Sequence, residues 1–554
     1  MTLSAASIAV CLTFVLCMAP GCENQHRKKE YDLILRGGML LDGTGKSGSI
    51  GDLAIRGDRI AAIGGKVEGY APITIDATGL MVAPGFIDMH THSDEFRLQE
   101  PHGPSFSLQG VTTEVWGEAF SMGPLGGKRE DLKLWGNLKP TWKTLGEFLD
   151  VVEKRGSAAN FCSYIGSGAV RAYIVGYEDR PATAREIEEE KRIVREAMAD
   201  GAMGVASGLS YVPNIYMSTG ELTALAKEAA AAGGIYATHA RTVNGQDPAA
   251  IQEAISIGEK AGLPVHFFHL NSIASWSAGT FLPIIRDARK RGLRVTADAY
   301  PYNWGITRLP DYLPSWALAG GRNAMLARLQ DPKQRKRIRK TFRSDPPYYA
   351  RIGWKNVRLG VADSEINGKL VSEVAALRHQ NEDDVYMDVV LKQKGQGILI
   401  DLNNGEDTLR QVMQEPFVAV GSDGRAVNLD TKPPAMPLFH PRNLATYPRW
   451  LGRYVREEHL MTWEEAVRRM TSLPASILGL RDRGVLELGK MADVVVFDPK
   501  TIVDRATFED PNHYSEGVRY VFVNGQAVVR DGKPTDALPG RAIRGPGYKK
   551  RSGA

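Results

Sequence analysis

Between about residue 180 and residue 300 the chain repeats one pattern of apolar and polar positions: an amphipathic stretch of helical period, a glycine, then a short apolar run. Thr183-Ala184-Arg185-Glu186 is a capping-box signature that opens a helix closed by Gly201, and the strand Ala202 to Ala206 is predicted to follow. Ser218 to Glu221 repeats the signal, Gly233-Gly234 ends that helix, and Ile235 to His239 reads as the next strand. Asp247 followed by Pro248 opens a third helix that stops at Gly262, before the strand Pro264 to His269. A fourth helix near Phe281 to Arg291 stops at Gly292, ahead of Leu293 to Asp298. Repeated β-α units of this kind specify a parallel sheet covered by helices.

The flanks have a different texture. From Tyr31 to about Val82, and again after Gly484, short runs alternate apolar and polar residues between glycine-rich turns, as in DLAIRGDRIAAIGG and GVRYVFVNGQAVVRDGK. This predicts one small antiparallel sheet domain assembled from both chain ends. Residues from about 318 to 400 break the β-α rhythm and are predicted to be an insertion over the mouth of the central domain.

Histidines and carboxylates fall where the apolar runs end. Pro84-Gly85-Phe86-Ile87-Asp88-Met89-His90-Thr91-His92 closes a strand-like run with two imidazoles one residue apart, a spacing that lets both reach one metal. His239 and His269 end later runs, and Asp423 ends the run Val418-Ala419-Val420-Gly421-Ser422. Chemistry delivered at successive strand ends points to a (β/α)8 barrel with a hydrolytic metal centre at the C-terminal ends of its strands. No glycine-rich dinucleotide loop follows a strand, which sets the open doubly wound sheet behind the barrel. His266 and His269, three residues apart, do not share a face of a regular strand, so His266 is not expected as a ligand.

Composition narrows the reading further. With 554 residues, 43% of them hydrophobic, the chain can bury one large core and a satellite. Its 69 basic residues nearly balance 64 acidic ones, so the net charge of +5 carries no nucleic-acid signal, and the basic run Lys333 to Lys340 reads as a solvated helix face. Ala5 to Met18 is mostly apolar and short for a bilayer span, and Ala19-Pro20-Gly21-Cys22 has the form of a lipobox. Residues 1–22 are therefore expected to be an export signal and 23–30 a tether, giving a periplasmic or membrane-anchored bacterial protein with lipid on Cys22. Processing there removes Cys11 and Cys17 and leaves Cys162 as the one cysteine besides the anchor, so no disulfide framework is expected.

Taken in order, APGFIDMHTHSD (83–94), QGVTTEVWGE (109–118), GAMGVASGLSYVP (201–213), YATHAR (236–241), HFFHLN (266–271), DAYPY (298–302), GSDG (421–424), HPRN (440–443) and RDRGVLELGKMADVVVFDP near the C-terminus resemble the amidohydrolase superfamily, and within it the N-acyl-D-amino-acid deacylases. The resemblance implies a metal-bearing (β/α)8 barrel, residues 84–479, flanked by a β-sandwich built from 31–83 and 480–545, with a tail at 546–554. It implies hydrolysis of a linear C–N amide bond in a small N-acyl amino acid, with one or two divalent ions, zinc fitting best. A dipeptide, a cyclic amide or another N-acyl compound is the alternative substrate, and a non-catalytic metal- or ligand-binding lipoprotein the alternative outside enzymes.

Two positions depart from the family. Ala119 stands where well-known members carry a metal-ligating cysteine, which makes Glu118 the substitute, and Asn271 stands where many carry a lysine. The expected ligands are then His239, His269 and Glu118 for one ion and His90 and His92 for a second, with Glu118 bridging. Asp423 is the expected general base, Arg442 the expected partner of a substrate carboxylate, and Tyr211 and Tyr302 further donors to substrate oxygens. Asp88 and Asp298 are expected to orient the imidazoles.

Overall fold

The structure is a computed structural model that describes residues 30–129, 139–241, 247–272, 278–344, 352–402, 405–431 and 440–550. The expected export signal, Cys22 and most of the tether lie outside these residues. At the centre are parallel strands β1 (Phe86–Asp88), β2 (Val111–Trp116), β3 (Asn160–Ser163, resuming at Ile165–Gly166), β4 (Gly204–Gly208), β5 (Ile235–His239), β6 (Val265–Phe267), β7 (Val295–Ala299) and β8 (Val418–Val420). Each pairs with the next in parallel. The ring closes where Met89 N–H donates to Val420 O, Asp423 N–H to His90 O (2.8 Å) and His92 N–H to Gly424 O (2.8 Å). That closure makes a (β/α)8 barrel.

Side-chain alternation along these strands divides two cores. Ile87, Val115, Cys162, Ile235, Ala237 and Ala419 pack together inside the barrel. Their neighbours Phe86, Trp116, Phe161, Tyr236, Val418 and Val420 face the surrounding helices. Those helices present stripes such as Ile193, Val194, Ala197 and Met198 from Ala184–Ala199, or Phe281, Leu282, Ile285 and Ala288 from Ala278–Lys290. The capping box at Thr183 forms as read, Glu186 N–H donating to Thr183 Oγ1 and Thr183 N–H to Glu186 Oε2.

The chain ends meet in one sheet of nine strands among the described residues. Val494–Phe497 lies antiparallel to Met81–Pro84, which joins the two halves. Val494 and Val496 pack with Val82, Leu53 and Ile55 on one face, while Val495 and Phe497 turn to the barrel core. The sheet is mixed where an antiparallel one is expected: Leu33–Leu40 pairs in parallel with both Ile73–Asp76 and Met81–Pro84, because the chain crosses back after Arg59–Gly64 before each. The segment after the sheet runs under the barrel, Phe161 N–H donating to Arg541 O and Ile543 N–H to Phe161 O.

The insertion is wider than residues 318 to 400. Trp304–Arg308 pairs with Ile398–Leu402, which pairs with Val357–Gly360, and this three-stranded sheet supports a separate core from Leu309 to Leu399. Strand β4 begins at Gly204 rather than Ala202, because Ala202 N–H closes the preceding helix on Ala197 O (2.9 Å).

Candidate metal centre

His90, His92, Glu118, His239, His269 and Asp423 lie at or just past the C-terminal ends of β1, β2, β5, β6 and β8, and they converge. Tight backbone turns aim them: Ala119 (φ 54°), His269 (φ 33°) and Asp423 (φ 52°) all take left-handed conformations that non-glycine residues seldom adopt. The turn at His269 also corrects the face argument made from spacing. Strand β6 stops at Phe267, so His266 and His269 both turn inward at different depths. His266 sits a layer lower, its Nε2 3.0 Å from Asp298 Oδ2.

Glu118 is the centre of the arrangement. Its Oε2 is 2.9 Å from His90 Nε2 and 3.1 Å from His92 Nε2, while its Oε1 is 3.4 Å from His239 Nδ1 and 3.6 Å from His269 Nε2. Asp423 joins the first group, Oδ1 lying 3.0 Å from His92 Nε2 and 3.7 Å from His90 Nε2. The result is two sets of donor atoms, His90, His92, Glu118 and Asp423 in one and Glu118, His239 and His269 in the other, each within 4.8 Å and sharing one carboxylate.

The atoms fit divalent cations. Glu118 Oε1 is buried with no hydrogen-bond partner, although two imidazole nitrogens face it, themselves 3.0 Å apart. A proton shared between the rings leaves that oxygen unsatisfied, whereas a cation among the three satisfies all of them. Imidazole and carboxylate without thiolate suit zinc and other first-row divalent ions. Burial alone would raise the Glu118 carboxyl, but the charge of His90 and the imidazole nitrogens of His239, His269 and His90 that face it hold it well below the usual carboxylate range. Burial would likewise raise Asp423, and Arg442 with His90 and His92 keeps it low. For His90 burial is outweighed by the charges of Glu118 and Asp423, which raise it; His239 is lowered, chiefly by burial. The centre thus holds ionised carboxylates out of water, where positive charge is favoured.

Outer partners fix these groups. Asp298 Oδ1 accepts from His269 N–H (2.7 Å) and lies 3.9 Å from His90 Nδ1. Burial opposes its ionisation, but His266 and His90 bring it to about 2. It needs the glycine opposite: a Cβ on Gly421 would stand 2.8 Å from its carboxyl carbon. Asp88 accepts from the N–H groups of Ser422 (2.9 Å) and His90 (3.2 Å), while burial pushes it up to about 7. It therefore orients backbone rather than an imidazole.

The residues expected to hold substrate are spread around this centre. Arg442 is 4% exposed and pairs through Nη1 with Asp423 Oδ2 at 2.7 Å, its guanidinium over the Tyr300 ring. Tyr211 lies edge-on to His239, with centroids 4.9 Å apart. Tyr302 stands farther away, packed on His440, Phe508 and Arg449, its hydroxyl buried without a hydrogen bond. Asn271 is committed to the backbone, donating to Tyr302 O and accepting from Tyr300 N–H. Sequence reading missed Ser210, whose Oγ is 3.1 Å from His239 Nε2, and Tyr300, which lies between His269 and Arg442. Both follow strand ends, β4 and β7, and that position was the available signal.

Comparison with known proteins agrees with this geometry. The model of the amidohydrolase family matches residues 74–529. This chain belongs to the amidohydrolase family. The amidohydrolase is 34% identical to the D-aminoacylase of Alcaligenes xylosoxydans xylosoxydans, over 94% of this chain and 99% of that one. It is 33% identical to the N-acyl-D-glutamate deacylase of the same organism, over 93% and 97%. Among solved structures, the N-acyl-D-glutamate deacylase of Bordetella bronchiseptica, complexed with zinc and a phosphonate mimic of the tetrahedral intermediate, superposes with a TM-score of 0.77 at 30% identity, covering 93% of this chain and all of that one.

Proposed function

We propose that this amidohydrolase is a metal-dependent hydrolase that removes the acyl group from N-acyl-D-amino acids. The observation that carries the reading is the division of the Glu118 carboxylate between two histidine pairs, in a chain aligned nearly end to end with deacylases of that class. Zinc is the ion we assign, and the related structure that superposes here is complexed with it.

His239, His269 and Glu118 would hold one ion, and His90 and His92 a second across Glu118. A cation so held polarises the amide carbonyl and lowers the pKa of water. Asp423 does the proton work: within the donor set of His90 and His92, it accepts the proton of the attacking water and passes it to the departing nitrogen. Arg442 fixes Asp423 through Oδ2, leaving Oδ1 toward His92 and the reacting atoms. Arg442 Nε, buried without a hydrogen bond, is the edge we assign to the substrate carboxylate. Tyr211, against His239, would donate to a carbonyl oxygen, whereas Tyr302, its hydroxyl buried among His440, Phe508 and Arg449, packs behind the site.

The test is hydrolysis of paired N-acetyl-D- and N-acetyl-L-amino acids by the zinc-loaded protein. Selective cleavage of D forms is expected, and failure to cleave any D form with metal bound would refute the assignment. We also propose that residues 1–22 direct export and that Cys22 is lipid-modified, on the strength of the apolar run Ala5 to Met18 and the sequence Ala19-Pro20-Gly21-Cys22. Fractionation with mass analysis of the mature N-terminus tests this: a soluble protein retaining Met1 would refute it.

A further inference from the structure

Arg442 has two tasks in the reading above, holding Asp423 through Oδ2 at 2.7 Å and meeting the substrate carboxylate, so whatever seats Arg442 bears on both. It is the first residue of the helix Arg442–Arg449. The first N–H groups of a helix have no partner within it, and when buried they must find one elsewhere. Here Asn443 N–H donates to His440 O (3.1 Å), and the N–H groups of Leu444 and Ala445 both donate to Pro441 O (2.9 and 3.1 Å). Pro441 stands at the cap position and makes no side-chain cap, which leaves the N–H of Arg442. His440 takes it: Arg442 N–H donates to His440 Nδ1 at 3.0 Å, out of contact with water.

The other edge of the ring decides that this contact can form. His440 Nε2 lies 3.0 Å from Trp304 O, and a carbonyl only accepts, so the hydrogen of the neutral ring sits on Nε2. Nδ1 then keeps the lone pair that the Arg442 N–H requires. Burial, and after it the Arg442 charge, hold His440 well below the usual imidazole range and keep the ring neutral. Tyr302 and Phe508 stand edge-on to it, with centroids at 5.3 and 4.9 Å, and fix its plane. Both nitrogens of this fully buried ring are engaged, which leaves it neither a base nor a metal ligand. Trp304 opens the three-stranded sheet of the insertion, so the ring joins the insertion to the Arg442 helix.

We propose that His440 is a positioning residue for substrate recognition: fixed in its Nε2–H form by Trp304, it caps the Arg442 helix and sets the guanidinium for the α-carboxylate. This deepens the deacylase reading and rests on it. An alkyl side chain at this position leaves the Arg442 N–H buried without an acceptor; the first turn relieves that by shifting, and the guanidinium moves with it. Asparagine puts an oxygen near the place of Nδ1, whereas glutamine reaches the place of Nε2 and lacks the nearer acceptor.

The experiment measures kcat and KM of the full zinc-loaded chain on the best N-acetyl-D-amino acid from the comparison above and on its carboxamide, which keeps the scissile bond and lacks the carboxylate. Wild type should favour the carboxylate by about tenfold or more, the scale of one charge-assisted contact. His440→Leu and His440→Gln should lose most of that preference through KM for the carboxylate, with zinc content and turnover of the carboxamide close to wild type. His440→Asn should recover it. An unchanged preference in the Leu and Gln variants, or an equal fall for both substrates in all three, would overturn the assignment and leave deacylation standing. Equal use of carboxylate and carboxamide by wild type would overturn the Arg442 contact and this proposal with it, again without touching deacylation. Cleavage of no N-acetyl-D-amino acid with zinc bound would overturn the deacylase reading as well. If the Leu variant does not fold, the two polar variants still decide: Asn no better than Gln would overturn the proposal.

Discussion

Glu118 touches both histidine pairs, one through each oxygen, so its replacement should separate metal loss from loss of chemistry. Glu118→Ala is expected to lose about half of the bound zinc, measured by elemental analysis, and to lower kcat/KM by about 10²-fold or more. Asp423→Asn keeps the shape of the side chain and its contact with Arg442 but removes the base; kcat is expected to fall by about 10²- to 10⁴-fold with zinc content retained. Unchanged turnover in Asp423→Asn would remove Asp423 from the proton path. At this scale much of the centre was legible, because His90, His92, His239, His269 and Asp423 each end an apolar run and barrels gather such ends at one face. Ser210 and Tyr300 were not read. Both follow strand ends, but how the loops after β4 and β7 turn those side chains toward the centre is recorded by no local periodicity.

The same distinction holds for elements. Helix signals resting on local hydrogen bonds, such as the Thr183 box, could be read to within a residue or two, since their partners lie within one turn. The strands of the end-to-end sheet could be read individually, but their pairing could not, because Leu33–Leu40 takes partners on both sides from segments separated by turns and crossings. The helix Ala184–Ala199 carries a burden of its own. Glu190 is fully buried with neither oxygen hydrogen-bonded, near Glu221, which pairs with Arg171 at 2.6 Å. Burial, then the Glu221 charge, pushes Glu190 up to about 8. Between its ordinary value and about 8 the unfolded chain releases a proton that the folded one keeps, so this group makes stability fall as pH rises across that window. Glu190→Gln is expected to flatten that fall and to raise the denaturation midpoint at pH 8.5 relative to wild type, with little change at pH 5. Parallel pH profiles for the two proteins would contradict it.

Across the whole molecule, the barrel and the sheet are clasped by one buried polar network. Asp493 accepts from Arg483 Nη1 (2.6 Å) and Asn160 Nδ2 (3.1 Å) through Oδ2 and from Asn524 N–H (2.7 Å) through Oδ1, and Asn524 Nδ2 donates to Asn160 Oδ1. Asn160 belongs to β3, whereas Arg483, Asp493 and Asn524 come from the C-terminal part of the chain. Asp493→Ala leaves the Arg483 cation buried without that carboxylate, and a loss of about 3–5 kcal/mol is expected from urea denaturation. A loss within error of zero would mean that the network does not clasp the two parts.

The strand Val494–Phe497, which holds Met81–Pro84 from the far end of the chain, has a bearing on biosynthesis. A ribosome releases His90, His92, Glu118, His239, His269, Asp423 and Arg442 before it makes that strand. A nascent polypeptide therefore carries every proposed ligand before its sheet is complete, and a stop codon shortly after Gly484 would yield a product with all its metal-binding residues in which the segment leading into β1 keeps Leu33–Leu40 on one edge and has lost its partner on the other.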